Sequence, residues 1–170
     1  DGIHFQFVDQ SKIKSYMMLD NSEAFINSAI DEYSSNPKCS FKLTDAYCNF
    51  AEDDFYDRLI ACHVLEHLNK PHIYLERWSK IVRPGGVISI LLPCDPGILW
   101  RLGRNTGIKT KFYKAGIDYN YWMAREHINS IYNLMSIIRF YFPSRTEHWW
   151  PFKQIASPDL NLFYCVHAYL

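Results

Sequence analysis

Residues 55–93 read FYDRLIACHVLEHLNKPHIYLERWSKIVRPGGVISILLP, and the order of apolar runs and breakers within them decides the fold. Arg58-Leu59-Ile60-Ala61 is a short apolar run behind the acidic residues Glu52, Asp53, Asp54 and Asp57, as in a buried strand leaving a solvated turn. A helix is predicted next. Pro71 suits a first helical position, and Tyr74/Leu75, Trp78 and Ile81/Val82 recur at helical spacing while Glu76, Arg77 and Lys80 fall on the other face. Arg83-Pro84-Gly85-Gly86 is expected to stop this helix in a tight turn, because proline cannot continue it and glycine tolerates the turn's backbone. Residues 87–92 then form a second buried strand. Two apolar strands joined by a crossover helix make a βαβ unit with a parallel sheet, whose ligands belong at the carboxyl ends of the strands.

The whole chain of 170 residues, 48% apolar and 21% charged, has the size and composition of one globular domain with a proper core. Eighteen basic residues balance eighteen acidic ones, so no overall field draws the protein to nucleic acid or an anionic membrane, and only a local patch could. Cys39, Cys48, Cys62, Cys94 and Cys165 are odd in number and lack a Cys-x-x-Cys pair, which argues against a disulfide framework and a cysteine zinc site. A reducing, cytoplasmic setting is therefore expected. No apolar run approaches the roughly 20 residues of a membrane span, and no signal-peptide pattern opens the chain.

The string FYDRLIACHVLEHL, the Arg-Pro-Gly-Gly turn and the strand ending in Leu92-Pro93 together resemble the central part of the class I S-adenosylmethionine-dependent methyltransferases. The resemblance implies an α/β fold: a Rossmann-like, mostly parallel sheet with helices on both faces, ending in an antiparallel hairpin. It implies S-adenosyl-L-methionine as cofactor. Asp1-Gly2-Ile3-His4, followed by Phe5, Phe7 and Val8, reads as a tight glycine turn entering a short helix and resembles the last glycine of the family's G-x-G-x-G loop. The other glycines and the first central strand are missing before it. Residues 1–170 are accordingly expected to be a single methyltransferase domain that is incomplete at its amino terminus, a frayed terminus being the alternative.

Residues 14–19 are the next predicted strand, closed by Asp20 and followed by Asn21. In the resembled family an acidic residue here accepts hydrogen bonds from both ribose hydroxyls; the plainer role is a turn or capping aspartate. Phe25/Ile26, Ala29/Ile30 and Tyr33 form one helical face, and residues 39–43 a third strand leading to Thr44-Asp45-Ala46. By resemblance, Asp45 meets the adenine amino group, the Ala46 amide meets a ring nitrogen, and Tyr47 lies near the base; a loop aspartate without a ligand is the alternative. Ala61, Cys62 and His63 would hold the methionine portion.

His63-Val64-Leu65-Glu66-His67 also matches the H-x-x-E-H string of one zinc peptidase class. That site needs a sustained helix, and here barely one turn precedes Asn69-Lys70-Pro71. A few methyltransferases acting on adjacent hydroxyls hold a divalent ion with acidic and histidine residues of this turn, and His127 would be a further ligand. The preferred expectation is nevertheless no metal, with Glu66 and His67 a hydrogen-bonded pair fastening the turn.

Residues 95–126 form an insertion rich in aromatic and basic side chains, read as a lid and substrate wall. Trp100, Arg101, Arg104, Lys111 and Tyr113 are its expected substrate contacts. Arg101, Arg104, Lys109, Lys111 and Lys114 are unrelieved by any acidic residue, so a phosphate or carboxylate on the substrate would satisfy them. A solvated basic loop is the bland alternative. The expected reaction is methyl transfer to an oxygen, in preference to nitrogen or carbon, of a small anionic metabolite or a sugar- or lipid-linked intermediate. RNA as acceptor, or a non-catalytic scaffold subunit, are the alternatives, and nucleic acid is not the expected partner. His127 is the first candidate for a base, since it is predicted to start a helix beside the lid; His63 is second, with Asp95 and His148 behind them. That helix would bury Ile128, Ile131, Met135 and Ile138, and two strands near residues 146–150 and 162–168 would close the fold.

Overall fold

The computed structural model describes residues 2–47, 55–105 and 108–170. Asp1, Cys48 and the acidic Glu52, Asp53 and Asp54 lie outside the described residues. The chain divides into two units, residues 1–51 and 52–170.

The first unit is a small βαβ element: β1 (Tyr16–Asp20), α1 (Glu23–Tyr33) and β2 (Cys39–Leu43), preceded by 3-10 turns at Ile3–Phe7 and Gln10–Lys12. β1 and β2 pair in parallel from Tyr16 opposite Cys39 to Asp20 opposite Leu43. Pairing starts at Tyr16, whose N–H donates to the Lys38 carbonyl, so the strand opens two residues after its predicted start. Phe5, Met18 and Ala29 form the core, closed over by Ile13, Tyr16, Tyr33 and Phe41. The Phe5 ring lies 5.1 Å from Tyr16 and 5.3 Å from Tyr33. The amino-terminal turn is thus anchored by one buried aromatic, whose removal typically costs about 3–5 kcal/mol.

The second unit is a four-stranded sheet in the order β3-β4-β6-β5, from β3 (Tyr56–Cys62), β4 (Val82–Pro93), β5 (Arg145–Trp150) and β6 (Phe163–Tyr169). β3 and β4 are parallel, while β6 runs antiparallel to both β4 and β5. The crossover is α2 (Pro71–Ile81), which buries Pro71, Leu75, Trp78 and Ile81 at helical spacing and packs on β4 and on α6 (Ile131–Tyr141). Ile88, Ile90 and Leu92 of β4 are fully buried, as are Tyr164, Val166 and Ala168 of β6. Three short helices fill the insertion between β4 and α6: α3 (Ile98–Asn105), α4 (Ile108–Lys114) and α5 (Tyr119–Glu126). The result is an α/β fold with parallel crossover pairing and an antiparallel end, as the sequence predicts. Among the described residues, no helix is long and apolar enough to cross a membrane.

Two local expectations are corrected. Arg83-Pro84-Gly85-Gly86 does not separate helix from strand; it is an irregularity inside β4, where Tyr56 pairs with Val82 but Arg58 already pairs with Val87. Gly85 has φ +80°, and its N–H donates to the Leu170 carbonyl, so the chain end props the irregular segment. His127 likewise does not open α6. It terminates α5, its N–H donating to the Met123 carbonyl, and α6 starts four residues later behind Ser130, whose Oγ accepts from the Asn133 N–H. Ile128, expected on the buried face, is exposed.

Candidate active site

In the first unit, parallel pairing puts the carboxyl ends of β1 and β2 on one edge. Asp20 closes β1 there, its Oδ1 accepting the Ser22 N–H at 2.9 Å and its carbonyl the Thr44 N–H. Asp45 follows β2, and its Oδ1 accepts the Tyr47 N–H at 3.0 Å. Asn21 and Asp45 are exposed, Asp20 and Ala46 half-buried. Gly2 has φ +69°, and a Cβ there would come within 2.7 Å of Met18 Sδ and 3.0 Å of Tyr33, so only glycine suits the turn. A strand-end carboxylate, a second carboxylate on the same edge and a side-chain-free turn fit the hydroxyl and amino groups of a nucleoside.

In the second unit, β3 ends in Ala61, which is buried, and Cys62 and His63, which are exposed. His63 adopts a left-handed backbone with φ 54°, a conformation that strains a non-glycine residue and turns the chain sharply out of the sheet. Its N–H still donates to the Leu91 carbonyl, so the turn begins only after pairing is complete. The 3-10 turn Leu65–His67 then folds Glu66 inward until it is 1% exposed. Glu66 Oε1 lies 3.1 Å from His63 Nδ1, whereas Oε2 is buried without a partner. The surrounding protein and the Glu66 carboxylate push the Cys62 thiol up from its ordinary value, which keeps it neutral.

The segment after α5 docks onto this turn. The N–H groups of Ile128 and Asn129 donate to the Glu66 carbonyl, and Asn129 Nδ2 donates to the carbonyls of Leu65 (2.9 Å) and Leu68 (2.7 Å). His67 Nδ1 donates to the Glu126 carbonyl at 2.9 Å, and its ring meets that of His127 edge to face at 5.0 Å. At the end of β4, Asp95 Oδ2 accepts from His127 Nδ1 at 2.9 Å, and Oδ1 lies 3.4 Å from Arg104 Nη1. A carbonyl or carboxylate can only accept, so Nδ1 is the donor in both histidines and Nε2 is the ring nitrogen left for another partner. His63, Glu66, His67, Asp95, Arg104 and His127 therefore form one connected cluster at the carboxyl ends of β3 and β4.

Arg104 also reaches a second feature, a cleft of ≈ 290 Å³ lined by Pro96, Arg101, Arg104, Asn105, Lys109 and Asn120. Among the described residues, its walls hold three cations and no carboxylate. Aromatic faces steady two of them: Tyr119 lies 5.3 Å under Arg104, and Tyr113 lies 5.8 Å under Lys109. Lys111 and Lys114 are exposed on α4 and do not line the cleft. Tyr113 is exposed, its hydroxyl 3.4 Å from Asp118 Oδ1. Trp100 packs edge to face on Phe163, which also meets the His63 ring, and the Trp100 Nε1 is buried without a partner. His148 instead packs against His167 on the β5–β6 hairpin.

Sequence reasoning grouped His63, Glu66 and His67 in one turn, with His127 as a further ligand in the divalent-ion alternative, and brought out Asp95 separately. It missed Asn129 and Phe163, which join the pieces. Neither carries a local signal, since one follows a helix end and the other begins a strand, and their roles arise from partners far away in sequence.

The family model for the methyltransferase domain matches residues 1–90, slightly more than half of the chain. The chain belongs to this family and is a class I S-adenosylmethionine-dependent methyltransferase, with S-adenosyl-L-methionine as its cofactor. Among solved structures, the plantazolicin methyltransferase BpumL, in complex with a pentazolic desmethylPZN analog and S-adenosylhomocysteine, is similar in fold. Its TM-score is 0.72 at 13% identity, over 99% of this chain and 72% of that one. The N-methyltransferase NodS from Bradyrhizobium japonicum WM9 gives a TM-score of 0.60 at 13% identity, covering 94% of this chain and 75% of that one. A putative S-adenosylmethionine-dependent methyltransferase from Listeria monocytogenes gives 0.63 at 12% identity, covering 98% and 85%. No curated protein matches the sequence.

Proposed function

We propose that this methyltransferase acts on an oxygen of a small anionic metabolite or of a sugar- or lipid-linked intermediate. One observation carries the reading: Arg104 both lines the cationic cleft and contacts Asp95, which orients His127. A phosphate or carboxylate held by Arg101, Arg104 and Lys109 would be anchored by charge-assisted hydrogen bonds one residue away from a histidine whose Nε2 is not taken by Asp95. Trp100, Lys111 and Tyr113, which do not line the cleft itself, are the further candidate substrate contacts in this reading. The cofactor supplies a methyl group on a positively charged sulfur, already an activated electrophile, so the chain mainly binds and orients. His127 activates the acceptor hydroxyl through Nε2, and His63 is the second candidate. Toward the cofactor, the proposed contacts are Gly2, Asp20, Asn21, Asp45 and Ala46 in the first unit, and Ala61, Cys62 and His63 in the second.

A transfer screen with labelled cofactor against phosphorylated sugars, quinone precursors and RNA tests the proposal. Methylation of a phosphorylated or carboxylated small molecule, with KM raised by Arg101→Ala and Arg104→Ala, is expected. Transfer to RNA alone, or to neutral acceptors with no effect of these substitutions, overturns it.

A further inference from the structure

We propose that Glu66, His67 and His127 form a binding site for one divalent transition-metal ion. One ligand atom from each of the three lies within 4.8 Å of the others. Bonds of about 2.0–2.2 Å around a common ion place tetrahedral ligand atoms about 3.4 Å apart, so modest side-chain rotations complete the site. His67 is at the surface, and its Nε2 already lies 3.9 Å from Glu66 Oε1.

Three features distinguish this cluster from a chance grouping of polar side chains. The first is the orphan: Glu66 Oε2 is buried with no hydrogen-bond partner, and leaving a carboxylate oxygen so placed is costly unless a cation compensates it. The second is the state of the two imidazoles. His127 donates Nδ1–H to Asp95 and His67 donates Nδ1–H to the Glu126 carbonyl, so in each ring Nε2 is the atom left to face a ligand. A carboxylate or carbonyl behind the imidazole is the usual outer support of a metal-binding histidine, fixing the ring and raising its basicity. The third is the frame. Asn129 and the backbone of Ile128 clamp the Leu65–His67 turn to the segment carrying His127, so the ligands are positioned by hydrogen bonds that do not involve the ion.

Two imidazoles and one carboxylate suit zinc, manganese, iron or cobalt better than magnesium or calcium, which favour all-oxygen sets. Three protein ligands also leave coordination positions open. With the ion bound, these positions would take the acceptor oxygen of the reading proposed above, and His127 would be a ligand of the ion in place of acting directly as the base. The metal site deepens that reading in this respect but stands on its own geometry.

The test uses the full chain, stripped with a chelator and titrated by calorimetry with Zn²⁺ and Mn²⁺ and by visible absorption with Co²⁺. One ion per chain is expected, with d–d bands typical of nitrogen ligation and no competition from Mg²⁺. His67→Ala, at an exposed position where folding is not at stake, should weaken binding at least tenfold. Asp95→Asn, behind His127, should weaken it by roughly 10–100-fold. Glu66→Gln should abolish it, with circular dichroism and S-adenosylhomocysteine affinity as folding controls. No uptake by the wild type, or equal uptake by the folded His67→Ala variant, overturns the site. Uptake without methyl transfer to any anionic acceptor removes the proposed substrate class and leaves the metal site standing; metal-free transfer with no uptake does the reverse.

Discussion

Asp95→Asn is the substitution that most directly tests how the cluster works. Asp95 Oδ2 accepts from His127 Nδ1 at 2.9 Å, and the two side chains are only 11% and 14% exposed, so solvent screens the contact little. The amide that replaces the carboxylate either keeps an oxygen toward His127 without its charge or presents an NH₂ group that forces the other tautomer. A hydrogen bond to a charged group contributes about 1.5–3 kcal/mol, and each 1.36 kcal/mol of lost transition-state stabilisation is a factor of ten in rate. The turnover of Asp95→Asn should therefore fall about 10- to 150-fold. Arg104, whose Nη1 lies 3.4 Å from Oδ1, loses an ionic partner as well, so acceptor KM should change by a smaller factor. Steady-state kinetics on the acceptor identified by the screen gives both constants, and calorimetry with S-adenosylhomocysteine gives cofactor affinity, which should stay within about twofold if Asp95 acts only through His127. Wild-type turnover in folded Asp95→Asn protein would refute the role of the pair. A parallel loss of cofactor affinity would show that the substitution disturbs the sheet end rather than the histidine.

Asp20→Ala should weaken cofactor binding at least tenfold, since a charged group making two contacts is typically worth about 1.5–3 kcal/mol; unchanged affinity in a folded variant removes Asp20 from the site. Neutralising Arg101, Arg104 and Lys109 together should raise the acceptor's KM far more than the cofactor's, and only a modest salt dependence is expected for a compact phosphate. A steep fall of affinity with salt, with a slope near −0.7 per phosphate contact, would point to single-stranded RNA instead. Acid stability should depend on Glu147, whose carboxyl is held at about 2 by Arg139 and then Arg145, against an ordinary 4.5. Because the folded state binds this proton less readily than the unfolded one, the contribution is complete above pH 4.5 and is lost as pH falls toward 2, with a ceiling of about 3 kcal/mol. Urea melts of Glu147→Gln across that window should show a flatter pH dependence than the wild type, and an unchanged slope would refute the assignment.

Where structure follows from neighbours in the chain, the sequence alone determined it. The spacing of four, three and three residues from Pro71 through Leu75 and Trp78 to Ile81 is a helical face whatever surrounds it, and α2 spans Pro71–Ile81. Residues 39–43, bounded by Asn36-Pro37 and Thr44-Asp45, form β2 over the predicted range, and Gly2 takes the left-handed turn expected of it. The family was legible for the same reason, because strand, turn, helix and strand follow one another without interruption in residues 55–93. The tertiary structure decided whatever depends on distant partners. The apolar positions Ile128, Ile131, Met135 and Ile138 fit a helix starting at residue 126, yet the N–H groups of Ile128 and Asn129 are taken by the Glu66 carbonyl, sixty-odd residues earlier, and the helix begins only after Ser130. That docking brings His127 to His67 and Asp95 and so creates the cluster. The basic run was likewise visible as charge, but the folding of the insertion into separate short helices left Arg101, Arg104 and Lys109 on the cleft and Lys111 and Lys114 exposed outside its lining. Periodicity and turn chemistry are written residue by residue, whereas a backbone carbonyl accepting across the sheet edge leaves no mark on the residues it selects.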